Sequence, residues 1–230
     1  MKTEHAVGPV GKRCWMVAAL LAFVCASTGC NILGFGGAMI ENYRRSSTKV
    51  IKPEYTGLKG KNWAVVVIAD RSIQAELPDL VPWMTGKICD RLTKEQPKIV
   101  AAGMVPAERI LRYQYDHPSW VSMPHGDLAK ALTVDRLIIV EIIEYRLNDP
   151  GNQYLWSGLA AGSVGVVETE SPTPDEFGFE KSVRVKFPDD ENYGPNDFDR
   201  PTIATALGGR FLDRVTWLFY SHDEPYYPKY

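Results

Sequence analysis

Cysteine is scarce in this sequence, and the positions of the few cysteines exclude two kinds of domain. Cys14, Cys25 and Cys30 lie near the start of the chain, and Cys89 is the only cysteine beyond them. A disulfide scaffold needs paired cysteines within one domain, which Cys89 alone does not supply. The histidines also lack the spacing of a zinc site. We therefore expect neither disulfides nor a metal site, and Cys89 is predicted to be a small buried residue.

Excess charge of one sign is also missing. The net charge is −2, and no basic cluster is longer than the pairs Lys12-Arg13 and Arg44-Arg45. A nucleic-acid surface needs a basic patch or stripe, so no nucleic-acid partner is expected. The glycine-rich run "GFGG" at 34–37 has neither the Walker A pattern nor the full G-x-G-x-x-G spacing. No cofactor is therefore predicted.

The N-terminal segment has the features of a secretory signal. Lys2, Lys12 and Arg13 precede residues 14–29, "CWMVAALLAFVCASTG", which carry no charge. A basic start, a short apolar stretch and small residues before a cut are typical of a signal peptide. The apolar run is close to the shortest helix that crosses a bilayer core, so an uncleaved signal anchor is the alternative.

The residues at the end of this segment resemble the lipobox of bacterial lipoproteins. The four positions are Ser27, Thr28, Gly29 and Cys30, and Ser27 stands where that family usually has Leu. The resemblance implies cleavage before Cys30 and attachment of a membrane lipid to its thiol. Asn31 follows, where an Asp would be the usual signal for retention in the inner membrane. We therefore expect a lipid-anchored, periplasm-facing protein of the cell envelope, with the outer membrane favoured.

The pattern of apolar residues predicts an α/β (α+β) fold, a mixed β-sheet with helices packed on it. We divide the chain into a signal peptide (1–29), a tether (30–60), the α/β domain (61–221) and a C-terminal tail (222–230). Asp127 is expected to cap the short helix that follows it. Strands are predicted at 62–70, 97–105, 135–147, 154–170 and 179–187, and helices at 78–95, 106–116, 127–134 and 200–220.

Several segments of the domain resemble the periplasmic family that includes the TolB amino-terminal domain, CsgG and LpoB. The matching segments are "WAVVVIAD" (63–70), "PDLVPWMTGKICDRL" (78–92), "KIVAAGMVPAERILRYQ" (98–114) and "LAKALTVDRLIIVEIIEYRL" (128–147). The resemblance implies an envelope protein that works through other proteins. CsgG implies a secretion pore, but the sequence lacks two clear membrane-spanning hairpins, which favours a monomer or an adaptor.

Catalytic residue types are present without a convincing pattern. Glu141 and Glu144 lie three apart on a predicted strand, so their side chains are expected on opposite faces. Ser163 lies in an A-x-S-x-G frame, but inside a strand, where a nucleophile elbow needs a sharp turn into a helix. His117 and His125 flank one loop without a triad context. We predict that the protein is not an enzyme, and a hydrolase acting on envelope polymers is the alternative.

Aromatic side chains are the candidates for an interaction surface. Trp120, Trp156, Tyr226 and Tyr227 lie near loops or the C-terminus, and Trp and Tyr are enriched at protein interfaces. The competing interpretation is that such residues only cover the domain. The sequence as a whole predicts a membrane-anchored, non-catalytic interaction or assembly module. Its expected partner is an envelope protein, and a homo-oligomer stays open.

Overall fold

The computed structural model describes residues 47–190 and 192–225, so Cys30 and the C-terminal tyrosines lie outside the described residues. Contacts divide the described chain into a large unit, residues 50–223, and a small one that includes 47–49 and 224–225. The strands are β1 Thr48–Ile51, β2 Asn62–Ala69, β3 Gly103–Met104, β4 Arg136–Arg146, β5 Gly158–Glu168, β6 Phe177–Phe187 and β7 His222–Pro225. The helices are α1 Arg71–Glu76, α2 Leu80–Lys94, α3 Gln96–Ile99, α4 Ala107–Asp116, α5 His125–Leu132 and α6 Arg200–Thr216, with a 3-10 turn at Pro118–Ser122. Within the described ranges, no helix combines the length and apolar character that crossing a membrane requires.

Five strands form one mixed sheet in the order β3-β2-β4-β5-β6. β2 is parallel to β3 and to β4, whereas β5 is antiparallel to β4 and to β6. Parallel neighbouring strands require crossover connections. Helices α1–α3 connect β2 to β3, and helices α4 and α5 connect β3 to β4. β1 and β7 pair in a separate two-stranded sheet. The predicted fold class, a mixed sheet with packed helices, is confirmed.

The sheet is covered on both faces, although not along its whole length. A Cβ added at Gly162 would lie 3.2 Å from Phe211 of α6, so this face of β5 packs against α6. Gly165, three residues on, points to the opposite face, where the ring of Phe177 fills the space above it. Phe177 in turn stacks on His125 of α5, with ring centroids 5.0 Å apart. The two faces are therefore closed by different helices.

The predicted strand at 97–105 is wrong. Residues Gln96–Ile99 form one helical turn, and only Gly103–Met104 pair as a strand. Pro97 fits the first turn of a helix, because its missing N–H would have no partner there. Val100 ends the turn in the left-handed region, with φ of 56°. A short apolar run does not distinguish a strand from a buried helical turn, and here the proline decides.

Two helix starts also differ from the prediction. Asp127 is not an N-cap: α5 begins at His125 directly after Pro124, and the Asp127 carboxylate instead pairs with Lys130 at 3.1 Å. The predicted helix over 78–95 begins at Leu80, and it is preceded by α1, which the periodicity did not predict. Asp70 caps α1, because its carboxylate accepts a hydrogen bond from Ser72 N at 3.0 Å.

A buried arginine holds the start of β4 to the segment before β2. Arg136 is 5% exposed, and its Nε donates to the carbonyl of Gly57 at 3.1 Å. Both terminal nitrogens donate to the carboxylate of Glu170, with Nη2 at 2.7 Å from Oε1. A buried charge is tolerated only when it is paired and hydrogen-bonded, and this bidentate geometry meets that requirement.

Glu168, whose carboxylate lies 3.7 Å from Arg136 Nε, and Lys61 extend this ion-pair network. Tyr55 donates a hydrogen bond to Glu168 Oε1 at 2.8 Å, and Lys61 pairs with Glu170 at 2.8 Å. Burial, together with the hydrogen bond to Glu168, raises the pKa of Tyr55 above its usual value. Hydrogen bonds from Arg136 and then Lys61 lower the pKa of Glu170 well below its usual value. Glu170 is therefore an anion throughout the ordinary pH range.

We predict that Glu170→Gln lowers the free energy of unfolding by about 1 kcal/mol at neutral pH, near the upper end for a partly exposed ion pair. Because the pKa of Glu170 is lowered in the folded state, its contribution is complete above the ordinary value of 4.5 and is lost as the pH falls below it. The melting temperature should therefore drop by about 2–4 °C at pH 7, and the difference from wild type should close on acidification.

Thermal unfolding followed by circular dichroism between about pH 7 and pH 3 measures this difference. Glu176→Gln is the control, because the structure shows no hydrogen bond or ion pair of that exposed carboxylate to a described residue. A deficit of Glu170→Gln that stays constant down to pH 3 would contradict the role given to the carboxylate.

Candidate functional site

An apolar pocket of about 260 Å³ lies where β2 and β4 end. We call it the Trp83 pocket. Its walls are residues 76–80, Trp83 of α2, Tyr145 of β4, and Ala204 and Thr205 of α6. β2 and β4 are parallel, so the segment that follows β2 and the last residues of β4 lie at the same edge of the sheet. Open α/β sheets bind ligands beyond the carboxyl ends of their strands, which makes this the candidate site.

Close contacts between β4, α2 and α6 form one wall of the Trp83 pocket. The Tyr145 hydroxyl donates to the carbonyl of Ala204 at 2.8 Å, and burial raises the pKa of Tyr145 above its usual value. Gly208 of α6 makes this approach feasible: a Cβ there would lie 2.9 Å from Trp83 Cζ3 and 3.1 Å from the Tyr145 oxygen. The glycine therefore lets the indole ring and the phenol pack directly on the helix.

Acidic groups lie at the rim of the Trp83 pocket. Glu76 pairs with Arg200 at 2.5 Å, so its charge is compensated within the fold. Asp79 is exposed at the start of α2 and makes no side-chain capping hydrogen bond. The structure shows no described residue that neutralises the Asp79 carboxylate. The Trp83 pocket thus combines an apolar interior with one uncompensated negative charge at its edge.

Two of the four aromatic residues predicted for an interface lie among the described residues. Trp156 is 8% exposed and donates its indole N–H to the carbonyl of Phe198 at 2.9 Å, so it packs inside the domain. Trp120, in the 3-10 turn, is half-buried against the core. Neither residue lines the Trp83 pocket. Tyr226, Tyr227 and the lipobox residues Ser27, Thr28, Gly29 and Cys30 lie outside the described residues, so their roles stay predictions.

The expectation that Glu141 and Glu144 point to opposite faces is wrong. The register between β4 and β5 shifts after Ile142, because β4 contains a bulge there. Glu141 pairs with Ser163 and Glu144 pairs with Ala161, two residues away on the same face of β5. The extra residue in the bulge is Ile143, which is 63% exposed. Both carboxylates therefore lie on one sheet face, and Glu144 accepts a hydrogen bond from Arg146 Nε at 2.7 Å.

The ring nitrogens of two histidines lie near backbone carbonyls, and Cys89 is buried. Nδ1 of His117 lies 3.1 Å from the carbonyl of Tyr113, and Nδ1 of His125 lies 3.2 Å from the carbonyl of Asp175. No group of three His, Cys, Asp or Glu residues suited to a metal ion occurs in the part of the chain that the structure describes. Burial raises the pKa of the Cys89 thiol to about 12, in keeping with the predicted buried role.

The Trp83 pocket was not predicted, although two of its signals can be read from the sequence. Pro78 and Asp79 mark a turn before the helix that begins at Leu80, a short distance after the apolar run of β2. Trp83 and Tyr145 are the two aromatic residues among those that line the pocket. The contribution of Tyr145 depends on the bulge in β4, which returns Tyr145 to the α6 face and carries no sequence pattern.

No family model matches the chain, and no curated protein is similar to it. Lipoprotein GNA1162 from Neisseria meningitidis is similar in structure, with 10% identity over 65% of this chain and 94% of that protein, at a TM-score of 0.43. The PelC dodecamer from Paraburkholderia phytofirmans is 10% identical over 76% of this chain and 97% of that chain, at a TM-score of 0.40. Protein XCC0632 from Xanthomonas campestris is 10% identical over 74% of this chain and 90% of that chain, at a TM-score of 0.40. Similarities at this level do not identify a family or a function, so the resemblance to TolB, CsgG and LpoB stays a prediction.

We predict opposite effects for two adjacent glycine substitutions in α6. Gly208→Ala puts a Cβ into contact with Trp83 and Tyr145, so it should lower the free energy of unfolding by about 1–3 kcal/mol. Gly209→Ala meets nothing within 4 Å and should stabilise the helix by up to about 1 kcal/mol. Chemical denaturation of both variants measures the two values. Equal effects would show that the wall of the Trp83 pocket does not depend on close packing at Gly208.

Proposed function

We propose that this chain is a membrane-anchored, non-catalytic protein of the bacterial cell envelope that binds other envelope proteins. The observation that carries the proposal is the sequence Ser27-Thr28-Gly29-Cys30 at the end of an uncharged segment and ahead of a folded α/β domain. A lipid on Cys30 holds the domain at the membrane surface, facing the periplasm. The outer membrane is favoured over the inner one, because Asn31 follows the cysteine.

The binding role is assigned to the domain through its surface chemistry. The Trp83 pocket exposes apolar area next to a carboxylate, and concave apolar sites with a few polar groups are where proteins bind ligands. The signal-anchored form, in which a helix over residues 14–40 stays in the membrane, would place the same domain at the same surface. Lipid attachment to Cys30 separates these two forms.

We expect Cys30→Ala to abolish incorporation of a palmitate analogue into the chain. The substitution removes the thiol to which the proposed lipid is attached. Metabolic labelling of cells that express the full chain, followed by in-gel detection, measures the incorporation. Cys25→Ala is the matched control, because this cysteine lies five positions earlier and outside the lipobox-like sequence. Equal labelling of Cys30→Ala and wild type would overturn the lipid anchor.

A hydrolase acting on envelope polymers is the second candidate function. The observation in its favour is the bulge in β4, which places Glu141 and Glu144 on one sheet face. Paired carboxylates are the groups that perform general acid and base catalysis on glycosidic bonds. Against it, Glu144 already accepts a hydrogen bond from Arg146, so one of the two carboxylates is held within the fold.

Incubation of the purified full chain with peptidoglycan distinguishes the two functions. The proposed non-catalytic function predicts no release of soluble fragments above a protein-free blank, measured by chromatography. Release that Glu141→Gln abolishes and Glu176→Gln retains would instead establish the hydrolase. Glu176 is a suitable control because it is exposed and lies in the connection between β5 and β6.

A further inference from the structure

We propose that the Trp83 pocket binds a single bulky apolar side chain of a partner polypeptide, next to a lysine or arginine of the same partner. This inference rests on the proposed binding function, and it names the chemistry of the partner. The occupant is a peptide segment, because the size of the Trp83 pocket and the charge at its rim each favour that class over the alternatives.

The size of the Trp83 pocket favours one side chain. Its volume is about 260 Å³, and pockets that enclose a whole drug-sized ligand have about 300–1,000 Å³. The walls are apolar where the occupant would lie: Leu80 is buried, and Leu77 and Trp83 are half-buried. A side chain that contacts these three residues would bury apolar surface on both partners, which is the main favourable contribution to association.

An aromatic or leucine side chain suits these walls. The benzo edge of Trp83 rests against Gly208, so the ring is fixed by α6. Aromatic pairs contribute about 0.5–1.5 kcal/mol beyond the area that they bury. The opening is accessible, because Thr205 and Pro78 at its edge are exposed.

The charge at the rim favours a cation beside the apolar side chain. Asp79 is exposed and uncompensated by the described residues, whereas Glu76 is already paired with Arg200. A partner that brings a cation to Asp79 gains an ion pair, and one that brings a carboxylate meets repulsion. This complementarity disfavours a free fatty acid, whose own carboxylate would lie at the same rim.

Three hexapeptides test the proposal: Gly-Gly-Phe-Lys-Gly-Gly, the same peptide with Glu for Lys, and the same peptide with Ala for Phe, all blocked at both ends. The full chain is held in nanodiscs of zwitterionic phosphatidylcholine. Saturation-transfer NMR from protein to peptide, recorded over a concentration series, measures each affinity without a label. Octanoate is the fourth ligand and represents an acyl chain with a carboxylate.

We expect the Phe-Lys peptide to bind, the Ala-Lys peptide to lose at least tenfold in affinity, and the Phe-Glu peptide to lose about two- to fivefold or more, the range of an exposed ion pair. Asp79→Asn should remove the difference between the Phe-Lys and Phe-Glu peptides. Thr205→Trp should block binding, because a large side chain at this exposed position fills the opening of the Trp83 pocket. Ser119→Trp, at an exposed site away from the pocket, should bind as wild type does.

Equal affinity for all three peptides, or full binding by Thr205→Trp, would overturn the proposal. Binding of octanoate that Thr205→Trp abolishes, without binding of the Phe-Lys peptide, would also overturn it and assign the Trp83 pocket to acyl chains. These outcomes leave the labelling of Cys30 unaffected. The pocket inference can therefore fail while the proposed anchored envelope protein stands, and loss of the anchor leaves the peptide affinities unchanged.

Discussion

The parallel pairing of β2 with β4 is the constraint on which the candidate site depends. Seven residues of β2, Trp63 to Ala69, are in register with Arg136 to Ile142 of β4. Because the two strands run in the same direction, the turn that leaves β2 and the end of β4 arrive at one edge of the sheet. The Trp83 pocket forms there, and the Arg136 ion-pair network closes the opposite end of β4. β4 therefore has the Arg136 ion-pair network at its first residue and the apolar Trp83 pocket near its last residues.

Much of this fold could be predicted from particular runs of residues. The apolar segment "WAVVVIAD" predicts a covered strand, and Trp63 to Val67 are at most 1% exposed. Helix α6 carries apolar residues at helical spacing, and Ile203, Leu207, Phe211 and Val215 are all fully buried. These predictions succeed because a continuous or periodic apolar pattern depends only on which faces are covered. Such a pattern can be recognised from neighbouring residues of the sequence alone.

The features that were predicted wrongly or not at all depend on a single residue or on contacts between residues distant in sequence. Pro97 turns an apolar run into a helical turn, and Pro124 places the start of α5 two residues before Asp127. The bulge after Ile142 moves Glu144 to the face of Glu141, a change that no alternation of apolar residues encodes. The Trp83 pocket depends on the contact between Tyr145 and Gly208, which are 63 positions apart in the sequence. Sequence patterns alone do not predict contacts between residues so far apart.

We propose above all that the chain works outside the cytoplasm, anchored by a lipid on Cys30, with its α/β domain binding a partner. Intact mass spectrometry of the chain purified from bacterial membranes tests this claim most directly. We predict a mature polypeptide that begins at Cys30, with a mass above that of residues 30–230 by that of the attached lipid. A chain that still begins at Met1, or a Cys30 terminus without lipid, would contradict it.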